Sequence, residues 1–108
     1  MTDDLEYVAV AGLDELPMGE RLFLEIDGKA IVLFNIAGNL YAIGDVCTHD
    51  DGPLGEGELD GHVIVCPRHG ARFDVRTGKA LTLPAVTPTP SYPVRVQDGM
   101  IEIGLSLE

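Results

Sequence analysis

Two short segments of this 108-residue sequence each carry a cysteine followed closely by a histidine. The first segment is Cys47-Thr48-His49 and the second is Cys66-Pro67-Arg68-His69-Gly70, with residues 50–65 between them. Thiolate and imidazole side chains are both common ligands of transition metals. Two loops of this kind therefore predict a metal centre with four protein ligands.

The distribution of ligand types between the two loops bears on which metal is bound. Thiolates favour zinc or iron–sulfur clusters, whereas imidazole suits zinc, copper or iron. Zinc fingers usually take both cysteines from one knuckle and both histidines from a helix. Here each loop supplies one cysteine and one histidine, and no helix is predicted. This division favours a centre in which two cysteines hold one iron and two histidines hold the other, with structural zinc as the alternative.

Strand patterns dominate the sequence on either side of the two loops. Apolar residues alternate with polar ones, and two-residue turn signals separate the runs. The predicted strands are 21–26, 29–36, 39–43, 94–97 and 100–105. The predicted turns are Asp27-Gly28, Ala37-Gly38 and Asp98-Gly99. These elements form an antiparallel meander before the loops and a hairpin after them.

Residues 44–86, between the two strand groups, are rich in glycine, aspartate, proline and histidine. They include one predicted hairpin, 58–60 against 62–66, which turns at Asp60-Gly61. Residues 83–93 contain several prolines and are predicted to form an extended surface connection. The residues therefore predict an all-β domain with a loop-rich subdomain inserted between its strands.

The two cysteine–histidine segments resemble the cluster-binding boxes of Rieske proteins, Cys-x-His followed by Cys-x-x-His. The resemblance extends to the soluble ferredoxins of ring-hydroxylating oxygenase systems. It is carried there by the strand pattern before the first box, by Phe73-Asp74 and Thr77-Gly78 after the second box, and by the closing hairpin. The resemblance implies one Rieske domain over residues 1–108, an antiparallel β-sandwich or incomplete barrel with a cluster-binding subdomain at about 44–86. It also implies one [2Fe–2S] cluster. The implied ligands are Cys47 and Cys66 on one iron and His49 and His69 on the other.

Four positions differ from the Rieske proteins of respiratory and photosynthetic complexes. Those proteins have an extra cysteine in each box, and a serine and a tyrosine that donate hydrogen bonds to the cluster and its ligand sulfur. The corresponding residues here are Gly52, Arg68, Ala71 and Phe73. Because Ala71 and Phe73 cannot donate, we expect a reduction potential near the low end of the Rieske range, about −150 mV rather than about +300 mV.

The resemblance implies a low-potential one-electron carrier rather than an enzyme. Such a carrier takes electrons from a ferredoxin reductase and passes them to a terminal oxygenase, with His49 and His69 as the exit route. No nucleophile–base pair, phosphate loop or convergent carboxylate pair predicts catalysis. Two alternatives keep the cluster: a small subunit of a nitrite-reductase-like enzyme, and a ferredoxin tied to iron–sulfur assembly. A zinc-stabilised interaction module is the alternative without a redox role.

The net charge of −11 disfavours nucleic acid and anionic membranes as partners, and favours basic docking surfaces on partner proteins. The longest apolar run, 30–34, is far shorter than the roughly 20 residues of a membrane span. The acidic N-terminus lacks the pattern of a signal peptide. We therefore expect a cytoplasmic protein, and the resemblance implies a monomer.

Four residues outside the ligand set are considered for other roles near the boxes. His62 lies four residues before Cys66, about 13 Å away along a strand, and is predicted to be a solvated hairpin residue rather than a ligand. Asp45 and Asp74 flank the boxes and are candidates for hydrogen bonds to the loops. Arg72 is a candidate for a local ion pair or a partner contact.

Overall fold

The computed structural model describes residues 5–46, 53–67, 70–83 and 87–106. Within these ranges the chain forms ten strands and one 3₁₀ turn at Leu13–Glu15. The strands are β1 (Leu5–Gly12), β2 (Arg21–Ile26), β3 (Lys29–Ile36), β4 (Asn39–Gly44), β5 (Glu58–Asp60), β6 (Val63–Val65), β7 (Arg72–Asp74), β8 (Ser91–Tyr92), β9 (Val94–Gln97) and β10 (Met100–Ser106). The predicted all-β class is confirmed. No helix in the described residues is long and apolar enough to cross a membrane.

The strands form three antiparallel sheets. The first has the order β1-β10-β9, the second β2-β3-β4-β8 and the third β5-β6-β7. The third sheet is built entirely from the chain between β4 and β8, so it is an insertion into the second sheet. This matches the predicted subdomain, inserted between the meander and the closing hairpin.

Strand β3 lies at the centre of the molecule because both of its faces are buried. Ile31 and Leu33 face an apolar cluster with Ile101 and Ile103 of the first sheet. The alternate residues of β3 face a second cluster, which packs against the third sheet. The members of this second cluster are Val32, Phe34, Ile43, Leu54, Ile64, Cys66, Ala71, Phe73 and Val75. A strand buried on both faces reads as a nearly continuous apolar run, as observed in its sequence.

The turns Asp27-Gly28, Ala37-Gly38 and Asp98-Gly99 occur where they were predicted. Both central residues of each turn have positive φ, between 51° and 91°. This is the backbone of the type I′ turn, whose twist matches that of the flanking strands. The five strands predicted outside the β5–β6 hairpin are confirmed, with β4 and β10 each extended by one residue, whereas β6 covers Val63–Val65 rather than the predicted 62–66.

The predicted turn of the β5–β6 hairpin is wrong by one residue. Asp60 pairs with Val63, so the two-residue loop is Gly61-His62 rather than Asp60-Gly61. Gly61 has φ of 62°, whereas His62 is absent from the residues with positive φ. Positive φ at the first central residue alone is the pattern of a type II′ turn.

Three strands were not predicted, namely β1, β7 and β8. Strand β8 lies inside the stretch 83–93 that was predicted to be a surface connection, and it pairs with β4. Thr89, just before it, is only 2% exposed. The prediction is therefore wrong for the second half of that stretch, while residues 84–86 lie outside the described residues. Pro90 and Pro93 bracket β8, so its strand character comes from pairing rather than from local pattern.

Gly57 lies where the chain returns from the first box to the third sheet. A Cβ atom built on it would be 1.7 Å from the carbonyl oxygen of Val65, which is backbone and therefore cannot move aside cheaply. We expect Gly57→Ala to lower the free energy of unfolding by about 3 kcal/mol. Chemical denaturation measures this. Gly61→Asn is the control, because Gly61 faces open space and asparagine tolerates positive φ. Equal losses in the two variants would contradict the close contact.

Candidate metal centre

Of the four predicted ligands, Cys66 alone lies in the described part of the chain. Cys47, His49 and His69 lie outside the described residues, as do Gly52 and Arg68. For this reason, no group of three metal-ligating side chains occurs within the described ranges. The described residues at the centre are Cys66 and those at the ends of both boxes.

Cys66 follows strand β6 and is 1% exposed. It forms no disulfide and belongs to the apolar cluster beneath the third sheet. Ala71 and Phe73 belong to the same cluster and are fully buried. Cys66 is thus surrounded by apolar side chains that exclude water from it.

The second box is a short loop closed at its base by backbone hydrogen bonds. The Cys66 amide donates to the Ala71 carbonyl at 2.7 Å, and the Gly70 amide donates to the Cys66 carbonyl at 3.0 Å. These bonds continue the β6–β7 ladder, in which Val65 pairs with Arg72. Gly70 has φ of 76°, a conformation that glycine adopts without strain. The chain therefore leaves and re-enters the third sheet within residues 66–71, which contain both predicted ligands of this box.

The first box is closed by a side chain instead. Asp45, directly after β4, donates its amide hydrogen to the Ala30 carbonyl at 2.9 Å. Its Oδ1 atom accepts hydrogen bonds from the amides of Leu54 at 2.9 Å and Gly55 at 2.6 Å. Asp45 thus joins the chain before Cys47 to the chain that follows the box. The candidate role of Asp45 in holding a loop is observed.

The ends of the two boxes meet in the apolar cluster beneath the third sheet. Leu54, which follows the first box, is fully buried in the same cluster as Cys66. Gly57 packs directly against the carbonyl of Val65, the residue before Cys66. The ends of both boxes therefore share one packed base, an arrangement that allows both boxes to contribute to one centre. A donor set of two thiols and two imidazoles on such loops fits a [2Fe–2S] cluster with mixed ligands.

Asp74 forms its hydrogen bonds within the turn that follows β7. Its Oδ1 accepts from the amide of Arg76 at 2.9 Å, and its two oxygens accept from the Arg76 guanidinium at 3.1 Å. The hydrogen-bonded Arg76 guanidinium lowers the pKa of Asp74 below its ordinary value. The backbone of the turn closes when the Gly78 amide donates to the Asp74 carbonyl at 2.6 Å. Asp74 therefore stabilises this turn, and none of these bonds reaches a box.

His62 and Arg72 have local partners. His62 lies at the hairpin turn, at the opposite end of β6 from Cys66, with its ring edge-on to Tyr41 at a centroid distance of 5.6 Å. It is half-buried rather than solvated as predicted. Arg72 lies 3.9 Å from Asp60, and both side chains are exposed, so this ion pair contributes little to stability.

Comparison with known proteins gives a family and a set of relatives. A family model described as the Rieske [2Fe-2S] domain matches residues 6–93. The 3-phenylpropionate/cinnamic acid dioxygenase ferredoxin subunit of Escherichia coli (strain K12) is 45% identical over 92 residues, covering 84% of this chain and 86% of that protein. The ferredoxin component of the naphthalene 1,2-dioxygenase/salicylate 5-hydroxylase systems of Ralstonia sp is 38% identical over 92 residues, covering 85% of this chain and 88% of that protein.

Solved structures agree with these relatives. The ferredoxin of carbazole 1,9a-dioxygenase from Nocardioides aromaticivorans IC177 superposes with a TM-score of 0.84 at 35% identity, covering 90% of this chain and 95% of that chain. A chain in a complex of reduced oxygenase and oxidised ferredoxin of carbazole 1,9a-dioxygenase superposes with a TM-score of 0.83 at 31% identity, covering 90% of this chain and 91% of that chain. This chain is a member of the Rieske [2Fe-2S] domain family, whose cofactor is one [2Fe–2S] cluster.

Proposed function

We propose that this chain is the ferredoxin component of a ring-hydroxylating oxygenase system. It accepts one electron at a time from a ferredoxin reductase and passes it to a terminal oxygenase. The observation that carries this proposal is coverage: the chain spans 86% and 88% of two relatives that are themselves ferredoxin components. Electron transfer, rather than catalysis on a substrate, is therefore its activity.

The proposed cluster ligands are Cys47 and Cys66 on one iron and His49 and His69 on the other. The bound cluster supplies one-electron oxidation and reduction. The protein holds these ligands through the backbone bonds of Cys66 and the carboxylate of Asp45. One Rieske domain covers residues 1–108, and the cluster-binding subdomain occupies about residues 44–86. The outer ring edges of the two histidines form the electron exit.

The chemistry proposed for the partners follows from charge. The chain has 18 acidic and 7 basic residues, so its field attracts a basic surface and speeds association at low ionic strength. We assign basic docking surfaces to both the reductase and the oxygenase. The same charge favours a soluble monomer over self-association. We assign the protein to the cytoplasm.

Electron transfer to a terminal oxygenase tests the proposal directly. The purified protein, loaded with its cluster, is reduced and mixed with candidate terminal oxygenases, and substrate turnover is measured. Turnover that requires this protein and falls as ionic strength rises is the expected result. The same protein without its cluster is the control. The proposal would be contradicted if a sirohaem reductase or sulfur-mobilisation proteins rapidly oxidised the reduced protein while no oxygenase converted its substrate.

A further inference from the structure

Arg21, the first residue of β2, reaches across to the chain that follows the first box. Its side chain is half-buried, and its guanidinium carbon lies 5.5 Å from the centre of the buried Phe34 ring. One guanidinium nitrogen, Nη1, donates hydrogen bonds to the carbonyl oxygens of Gly55 and Gly57, the latter at 2.8 Å. Arg21 therefore binds a segment more than thirty positions away in the sequence.

Asp45 binds the same segment through the backbone amides, whereas Arg21 binds it through the carbonyls. Its carboxylate accepts from the amides of Leu54 and Gly55, while Arg21 donates to the carbonyls of Gly55 and Gly57. The Gly57 amide donates to the Leu54 carbonyl at 3.1 Å, which closes the segment into a tight turn. Two side chains of opposite charge thus clamp one turn. We call this arrangement the Arg21–Asp45 clamp.

The clamp lies against the strand end that bears Cys66. Leu54 packs in the same buried cluster as Cys66, and Gly57 contacts the carbonyl of Val65. Among the described residues, no carboxylate lies within ion-pair distance of Arg21. Its positive charge is met by two carbonyl dipoles and an aromatic face, which compensate it only partly.

We propose that Arg21 is a positioning residue that holds the turn after the first box, residues 54–57, and also raises the reduction potential of the centre through its charge. The inference rests on the proposed function, because it requires a redox centre at Cys66. A reduced cluster carries one more negative charge than the oxidised one. A nearby positive charge in a partly buried position therefore favours reduction, and a nearby negative charge opposes it.

The test measures the midpoint potential of the cluster-loaded protein in four variants. Arg21→Gln removes the positive charge and should lower the ratio of reduced to oxidised protein at a fixed potential about three- to tenfold, the upper value corresponding to about 59 mV. Asp45→Asn removes the opposite charge from the same turn and should shift the potential the other way. Arg21→Lys keeps the charge and should stay close to the wild type.

Arg95→Gln is the matched control. Arg95 lies on β9 of the first sheet, where it pairs with Glu102 at 2.6 Å and covers the ring of Tyr7. It makes no contact with the clamp, so the potential of this variant should match that of the wild type. Iron content and the visible spectrum are measured in parallel to establish that each variant carries its cluster.

Shifts of the same sign in Arg21→Gln and Asp45→Asn would overturn the charge effect, because that pattern reports distorted geometry alone. An unchanged potential in a fully loaded Arg21→Gln would overturn it as well. If Arg21→Gln does not retain the cluster, the midpoint potentials of Asp45→Asn and Arg21→Lys test the inference instead. A lowered potential in either of these would overturn the inference. A wild-type protein without a cluster would defeat the proposed function itself, which is a separate outcome.

Discussion

Replacing Cys66 by serine is expected to leave a colourless protein without its cluster. The chain has two cysteines, and each supplies one of the two thiolates that the proposed centre requires. A serine hydroxyl is not ionised at neutral pH and is a poor substitute for thiolate on iron. Iron and sulfide analysis, the visible spectrum and electron paramagnetic resonance of the reduced protein measure the loss.

The three histidines of the chain provide a sharper comparison. His49→Ala and His69→Ala should each lose the cluster, whereas His62→Ala should keep it. His62 lies at the far end of β6 and makes an edge-on contact with Tyr41, so its removal should cost only about 1 kcal/mol of stability. Loss of the cluster in His62→Ala, or its retention in His69→Ala, would show that the ligand assignment is wrong.

The second large effect concerns the reduction potential. Ala71 and Phe73 are fully buried in the cluster of side chains around Cys66, and neither carries a hydroxyl. We expect the wild-type potential near about −150 mV, since no side-chain donor at these positions stabilises the reduced state. A positive measured midpoint would contradict this expectation.

Ala71→Ser and Phe73→Tyr restore hydroxyls at the two positions where the resemblance places donors. If each hydrogen bond favours the reduced state by about 1 kcal/mol, each substitution raises the potential by about 40 mV. Protein-film voltammetry measures the shift. Ala42→Ser is the control, because Ala42 is a buried alanine, 2% exposed, in the other apolar cluster. The assignment of these donor positions fails if Ala42→Ser produces the same shift.

The parts of the fold that were predicted correctly depend on local pattern. Asp27-Gly28, Ala37-Gly38 and Asp98-Gly99 all adopt positive φ at both central residues. Asp-Gly pairs favour this geometry, whereas the Ala37-Gly38 turn is supported by Asn35, whose Oδ1 accepts a hydrogen bond from the Gly38 amide at 2.9 Å. The strands that they join have enough alternation or apolar length to be recognised alone. Turn chemistry and strand period are properties of neighbouring residues, and so a single sequence displays them.

The errors occur where a distant strand decides the outcome. Asp60-Gly61 has the composition of a type I′ turn, yet the observed turn is Gly61-His62. The pairing of β6 with both β5 and β7 sets the register there. Strand β8 is two residues long between prolines and exists because β4 offers it a partner. Local composition carries no record of such pairings.

By itself, the sequence determined the family and predicted the types and spacing of the ligands, because a cysteine and a histidine in each of two loops form a pattern with few other uses. It also identified Ala71 and Phe73 as residues that cannot donate a hydrogen bond. Asp45 was already a candidate from the sequence, but only the tertiary structure decided its partners and revealed the role of Arg21. Arg21 and Gly57 are 36 positions apart, and Asp45 spans the first box to reach Gly55. Contacts of this kind arise when sheets pack together, and no period or motif along the chain encodes them.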